Sequence, residues 1–248
     1  SPKNWFRKPN GTGPFQLTEY KVGETLILSR HDGYHLGPAK LAEVEMILSG
    51  GTSMLMYEND EIDIAGVGLA DIDRLQEPSN SLNAELHQAS PQFSIQYIGL
   101  NVNEPPLDDR KVRQALNLAI DKNEIATIVL GDQVVPATGI LPPGFPGFSE
   151  SVSGYDFDPA RAKQLLLESK YGGDLENIPP ITITTPGSFG ANVSLDMEVV
   201  LAMWEKNLGI KTEFQQTEFA TFLKDLNKRR FQMFDIGWIA DYPDPENF

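Results

Sequence analysis

Apolar residues recur along this chain with two different periods, and each change of period marks an element. Alternating runs rich in β-branched and aromatic residues predict strands at Phe15–Tyr20, Thr25–Arg30, Leu41–Leu48, Ile62–Ala65 and Phe93–Val102. Val22-Gly23 joins the first two as a hairpin. A short helix over Thr52–Tyr57 lies between the next two strands, so that stretch is expected to form a compact βαβ unit. Asp71–Arg74 opens another helical turn. Residues 1–14, polar and rich in Pro and Gly, read as loop, as does Pro78–Asn83.

Beyond Asn103–Pro106 the helical period takes over. Asp108 is expected to cap a long helix from Asp109 to about Leu130, with Val112, Ala115, Leu116, Ala119 and Ile120 as its apolar stripe. From Gly131 to Gly154 no period persists, and a structureless segment of that length in a compact domain is usually functional. Asp158-Pro159 starts a helix expected to run to Tyr171, where Gly172-Gly173 stops it. The last third then alternates regularly: strand Ile181–Thr185, helix Val193–Asn207, strand Ile210–Gln215, helix Glu218–Arg229, strand Met233–Ile239. That β-α-β-α-β order predicts a parallel sheet covered by helices. Trp204, inside an apolar helical face, reads as core, and Lys228-Arg229-Arg230 as a basic helix end. The chain thus divides into a strand-rich part, residues 1–102, and an α/β part, residues 103–248.

Composition narrows the function classes. A net charge of −15 over 248 residues counts against nucleic acid or an anionic membrane surface as partner. The absence of cysteine excludes disulfides and thiolate metal sites, and no apolar run is long enough to span a bilayer. The opening SPKNWFRKPNGTG lacks a charged-then-apolar targeting pattern, as expected of a cytosolic protein or of one whose targeting segment has been removed. GTGPF (Gly11 to Phe15) lacks the third glycine and the helix of a phosphate loop. His31 and His35 have the spacing of a helical metal pair, but Gly33 and Gly37 argue for loop histidines.

The strongest candidate for chemistry is the last stretch, where the strand Met233–Ile239 empties into an acidic, proline-broken loop. Open α/β sheets place ligands at such strand ends. There Trp238 offers an aromatic wall and Asp241 a fixed negative charge; the alternative is a core Trp and an Asp that starts a turn before Pro243. Asp241, Asp244 and Glu246 lack the alternation and glycine of a calcium loop, and neither a metal nor a cofactor is expected. Asp235 and Asp241 near Trp238 leave open a carboxylate-dependent hydrolase acting on carbohydrate. A pair that close is expected by chance among 35 acidic residues, and neither a nucleophile elbow nor a zinc-binding HExxH is present. A purely interactive role is a third possibility.

Five segments in order carry a family pattern. LNVNEPPLDDRKVRQALNLAIDKNEI (Leu100 to Ile125) resembles the signature of bacterial extracellular solute-binding proteins, family 5, the peptide-, dipeptide- and nickel-binding components of ABC importers. GTGPFQLTEYKVGETLILSRHDGYHLGPAKLAEVEM, ENDEIDIAGVG, GYDFDPARAKQLLLESKYGG and GWIADYPDPENF extend the likeness over nearly the whole chain, with Asn59 where glycine is usual. The resemblance implies a periplasmic binding protein-like α/β fold of class II type, whose two lobes of mixed and parallel sheets, covered by helices, close around a solute. Residues 1–102 would then be part of the first lobe and 103–248 part of the second, within a longer protein. It implies no enzyme, an ABC transporter permease as partner, and a periplasmic or lipid-anchored extracellular location. By the same resemblance Asp241 would pair with a peptide's α-ammonium group, Trp238 and Tyr242 would line the ligand, and Asn101 and Asn103 would meet it or brace the hinge. Asp235 stands where some oligopeptide-binding relatives carry a basic residue, so it would repel a peptide carboxylate there. Sugars, nickel chelates and lipids remain alternative solutes.

Overall fold

A computed structural model describes residues 9–89, 92–172, 174–187 and 193–248. Residues 1–8 of the predicted leading loop and Gly173 of the predicted helix stop lie outside the described residues. The chain forms two compact units, Ser1–Leu86 and His87–Phe248.

In the first unit β1 (Phe15–Lys21), β2 (Thr25–Arg30) and β3 (Glu43–Ile47) form an antiparallel sheet in sequence order. Gly23 makes the first turn at φ 76°, a conformation a side chain would strain. Two short helices follow, α1 (Ser53–Glu58) and α2 (Leu69–Gln76), anchored by the buried Met54 and Leu75. The expected strand at 62–65 is absent, and with it the βαβ unit. Alternation supplies a candidate face but not a hydrogen-bonding partner, and among the described residues β3 pairs only with β2. Ile64 is accordingly 88% exposed.

The second unit is built on a four-stranded sheet ordered β4-β7-β5-β6. It comprises β4 (Ser94–Leu100), β5 (Ile181–Pro186), β6 (Thr212–Thr217) and β7 (Met233–Ile239). β5 runs parallel to both β6 and β7, as the alternating pattern requires, while β4 joins antiparallel from Ser94↔Ile239 to Leu100↔Met233. β4 follows the strand-rich part in sequence, yet its partner lies at the far end of the chain, and the compact units divide at Leu86/His87 rather than at 102/103.

Helices α3 (Arg110–Leu118), α5 (Pro159–Leu167) and α6 (Leu195–Leu208) cover one face, burying Val112, Leu116, Leu165, Val200 and Trp204 against Ile181, Ile183 and Met233. On the other face lies α7 (Phe219–Asn227), whose Phe222 stacks on Phe231 at 5.0 Å and meets Phe234 edge-on at 6.5 Å. Trp204, 1% exposed, is core as expected.

The predicted long helix is broken. Asp109, not Asp108, caps α3 by accepting from the Lys111 N–H, while Asp108 pairs with Lys170. α3 ends at Leu118, and Asp121 then caps a second start, α4 (Lys122–Glu124), which continues as a π-helical turn, Ile125–Val129. Carbonyls stranded at the break find tertiary donors: the Trp204 indole for Leu116 at 2.9 Å, the Asp158 N–H for Leu118 at 2.9 Å and the Asn207 amide for Ala119 at 2.8 Å. α5 stops four residues before the predicted Tyr171, with the Ser169 hydroxyl donating back to the Leu166 carbonyl. α6 closes on Gly209 at φ 72° and α7 on Arg229 at φ 54°.

Candidate functional site

Because side chains alternate along a strand, β7 presents Met233, Asp235 and Gly237 to the α6 face and Phe234, Ile236 and Trp238 to the α7 face. On the α6 face the register aligns Leu100 with Met233, Ile98 with Asp235 and Gln96 with Gly237 across β4–β7. Across β5–β6 it aligns Ile183 with Phe214 and Thr185 with Gln216. The sheet is therefore apolar at one end of this face and polar at the other.

A cavity of about 410 Å³ opens over the polar end, lined by Gln96, Thr185, Pro186, Ser194, Gln216 and Asp235. Its place follows from the topology. β5 feeds α6 on one face and β6 feeds α7 on the other, so their carboxyl ends flank a topological switch point. Asp235 is 9% exposed, and its Oδ1 accepts from Gln96 Nε2 at 2.7 Å. Burial pushes its carboxyl above the ordinary Asp range, the Gln96 hydrogen bond pulls the other way, and the Asp196 carboxylate adds a smaller upward push.

A second grouping sits where β7 leaves the sheet. The Ala240 N–H donates to the Phe93 carbonyl at 2.8 Å, and the chain turns through Asp241–Asp244 into a 3-10 turn, Pro245–Asn247. Asn247 organises this turn, since its Oδ1 accepts from the Trp238 indole N–H at 3.2 Å and from the Asp241 N–H at 3.0 Å. Trp238 is 41% exposed, the Asp241 carboxylate faces solvent, and the exposed Tyr242 bonds Glu246 at 3.2 Å. The long segment after Gly131 has no helix or strand up to α5, as expected, and it packs beneath this turn. Its buried Phe145 meets Phe93 at 5.1 Å and Phe248 at 4.9 Å.

The structure thus divides the residues that proximity in sequence had grouped. Trp238, Asp241 and Tyr242 share the strand exit, whereas Asp235 faces the cavity on the opposite side of β7 from Trp238. Asp235 binds an amide rather than a second carboxylate. Asn101 and Asn103 lie at the other end of the β4–β7 pair, about 20 Å of strand away. There the Asn101 amide donates to the Arg229 and Phe231 carbonyls and its Oδ1 accepts from the Asn103 N–H, so it braces the entry to β7. Among the described residues no group of three or more His, Asp or Glu is gathered to hold a metal ion, and His31 and His35 lie in a loop. Sequence reasoning missed Gln96, Gln216 and Asn247. A polar residue at an inward position of an otherwise apolar strand is a usable signal for Gln96; Asn247 gives none.

Comparison with known proteins agrees with this architecture. The family model for bacterial extracellular solute-binding proteins, family 5 Middle, matches residues 1–248. The chain is 27% identical to the oligopeptide-binding protein OppA of Bacillus subtilis, covering 95% of this chain and 44% of that protein. It is 29% identical to the dipeptide-binding protein of Escherichia coli K12, covering 100% and 46%. It is also 29% identical to heme-binding protein A of Haemophilus influenzae, covering 100% and 45%. Among solved structures, the murein tripeptide binding protein MppA of Escherichia coli superposes with a TM-score of 0.81 at 26% identity, over 99% of this chain and 49% of that one. The chain spans about half the length of the curated relatives it matches. With a mixed α/β fold shared with periplasmic peptide-binding proteins and a family match from end to end, the chain belongs to the bacterial extracellular solute-binding proteins, family 5.

Proposed function

We infer that this chain is the solute-capturing part of an extracytoplasmic binding protein that serves an ABC importer, and that its solute is a peptide. The observation carrying this reading is the exit of β7. One Asn247 oxygen holds both the Trp238 indole and the start of the acidic turn, leaving the Asp241 carboxylate exposed to a ligand. An α-ammonium group is the complement of such a carboxylate, and the half-exposed indole supplies a flat apolar surface that tolerates varied side chains. A charge-assisted hydrogen bond of this kind contributes about 1.5–3 kcal/mol, so losing it weakens binding by roughly 10- to 150-fold. Delivery to a permease, and a periplasmic or lipid-anchored extracellular location, accompany this reading. The reading involves no turnover; Asp235 bonds the Gln96 amide while the Asp241 N–H donates to Asn247.

Native mass spectrometry of the protein expressed from its uninterrupted reading frame tests this. A co-purifying mass that fragments as a peptide, and is lost in Asp241→Ala, is the expected result. A sugar, metal chelate or porphyrin mass would keep solute capture and overturn the peptide. A bare protein that converts an added chromogenic glycoside would overturn capture itself.

A further inference from the structure

The cavity beside Asp235 has no part in α-ammonium capture at the β7 exit, yet it is built as a site. Two glycines make room for two glutamine amides at its edge. A Cβ at Gly237 would lie 2.6 Å from Gln96 Oε1, and one at Gly187 would lie 3.2 Å from Gln216 Nε2. Ser194 also lines it, and its side chain does not cap α6. Among the described residues Asp235 is the only charged one lining it, and the residue is nine-tenths buried. Its polar partner is a neutral amide, and among the described residues no Lys, Arg or His pairs with it.

Burying a carboxylate without a cation is costly, and evolution ordinarily removes such a charge or pairs it. The usual attraction of a helix N-terminus for anions is cancelled at this end of α6, whose first turn carries Asp196 and Glu198. The charge facing the cavity is therefore negative, and the rest of its lining joins hydrogen-bonding Gln96, Thr185, Ser194 and Gln216 to apolar Phe214 and Ile236, as a site for a cation on an aliphatic stem requires. About 410 Å³ falls within the size range of small-molecule sites.

We propose that this cavity is a specificity subsite that accepts a positively charged, hydrogen-bond-donating side chain of the captured solute, with Asp235 as its ionic partner and Gln96 holding the carboxylate in place. The proposal rests on the solute-capture reading and adds the chemical class of solute: a peptide carrying lysine, arginine or a comparable amine. Gln96 engages Asp235 Oδ1, which leaves Oδ2 to receive the incoming group.

The test is a lysine scan through tetra-alanine, each peptide titrated calorimetrically beside its norleucine counterpart into the protein from its uninterrupted reading frame. Norleucine matches the length of lysine without its charge. At one position lysine should bind at least about tenfold tighter than norleucine. Asp235→Asn, which keeps the Gln96 hydrogen bond, should bring that ratio to about one while leaving the norleucine peptide's affinity within about twofold. Equal binding of lysine and norleucine at every position overturns the subsite and leaves capture standing, a result that needs no variant. A lysine preference undiminished in a folded Asp235→Asn protein overturns the role of Asp235. Failure of every peptide to bind overturns the subsite together with the peptide reading.

Discussion

Gly99→Ala drives a single methyl group into an aromatic ring within the sheet that carries both candidate sites. Gly99 pairs with Phe234 across β4 and β7, and the far end of the Phe234 ring occupies the place a Cβ would take. A Cβ built there would overlap Cζ and Cε1 of that ring and lie 2.6 Å from Cε2. The ring cannot simply swing away, because it is held edge-on by Tyr97 at 6.2 Å and Phe222 at 6.5 Å. Overpacking of this kind costs about 1–3 kcal/mol. Removing a glycine from a strand returns about 0.5–1 kcal/mol. A net loss of about 1–2 kcal/mol is expected, roughly a 5- to 30-fold drop in the folding equilibrium. Urea unfolding followed in parallel by far-UV circular dichroism and tryptophan fluorescence measures it. Gly99→Ala combined with Phe234→Ala should be more stable than the sum of the single losses allows, since the second change removes the ring that the first strikes. An unchanged midpoint in Gly99→Ala, or strict additivity in the double variant, would refute the reasoning. Asp235 directly follows Phe234 along β7 and Trp238 lies four residues beyond it, so this fault would also reach the ligand-facing residues.

Three further changes probe separate parts of the account. Trp204→Phe keeps most of the buried ring but strands the Leu116 carbonyl at the broken end of α3, and unfolding should report a loss of about 1–3 kcal/mol. Asn247→Ala frees the Trp238 indole and the Asp241 amide together, so ligand affinity should fall while the unfolding midpoint stays near that of the parent. Unchanged affinity would show that the turn needs no such clamp. For Asp235 the pH dependence has a definite sign. Its folded carboxyl titrates above the ordinary unfolded value of about 3.9, so between those two values the folded state binds the extra proton. Stability contributed by Asp235 is then full at low pH and declines as pH rises through that window. Asp235→Asn should gain stability relative to the parent at pH 7 compared with pH 3.5, and an equal difference at both pH values would contradict the assignment.

How much of this was legible in the sequence depends on where each signal resides. β7 is the strand predicted, residue for residue, because Met233–Ile239 is bounded by a basic helix end and an acidic turn. The β-α-β-α-β order was equally clear, since each apolar period is local. Ile62–Ala65 shows the opposite: its alternation is genuine, but a strand needs a neighbour, and none lies beside it among the described residues. The break after Leu118 was concealed by an apolar stripe that continues across it; the Asp121-to-Glu124 capping pattern was the missed cue. The placement of β4 turned on a partner 139 residues away at the Gln96–Asp235 contact, which no local pattern encodes. For the candidate site, Trp238, Asp241 and Tyr242 share the strand exit that their spacing in sequence suggests, whereas Asp235, three residues before Trp238, faces the other side of β7. An odd separation on one strand places two side chains on opposite faces, and that rule was available from the sequence.

The most direct test of the central claim compares a free tripeptide with its Nα-acetylated form, titrated calorimetrically into the parent protein and into Asp241→Asn. The account predicts that the free form binds the parent at least about tenfold tighter and that this preference disappears in the variant. An acetylated peptide bound as tightly as the free one by the parent would contradict it, because nothing at the end of β7 would then be reading an ammonium group.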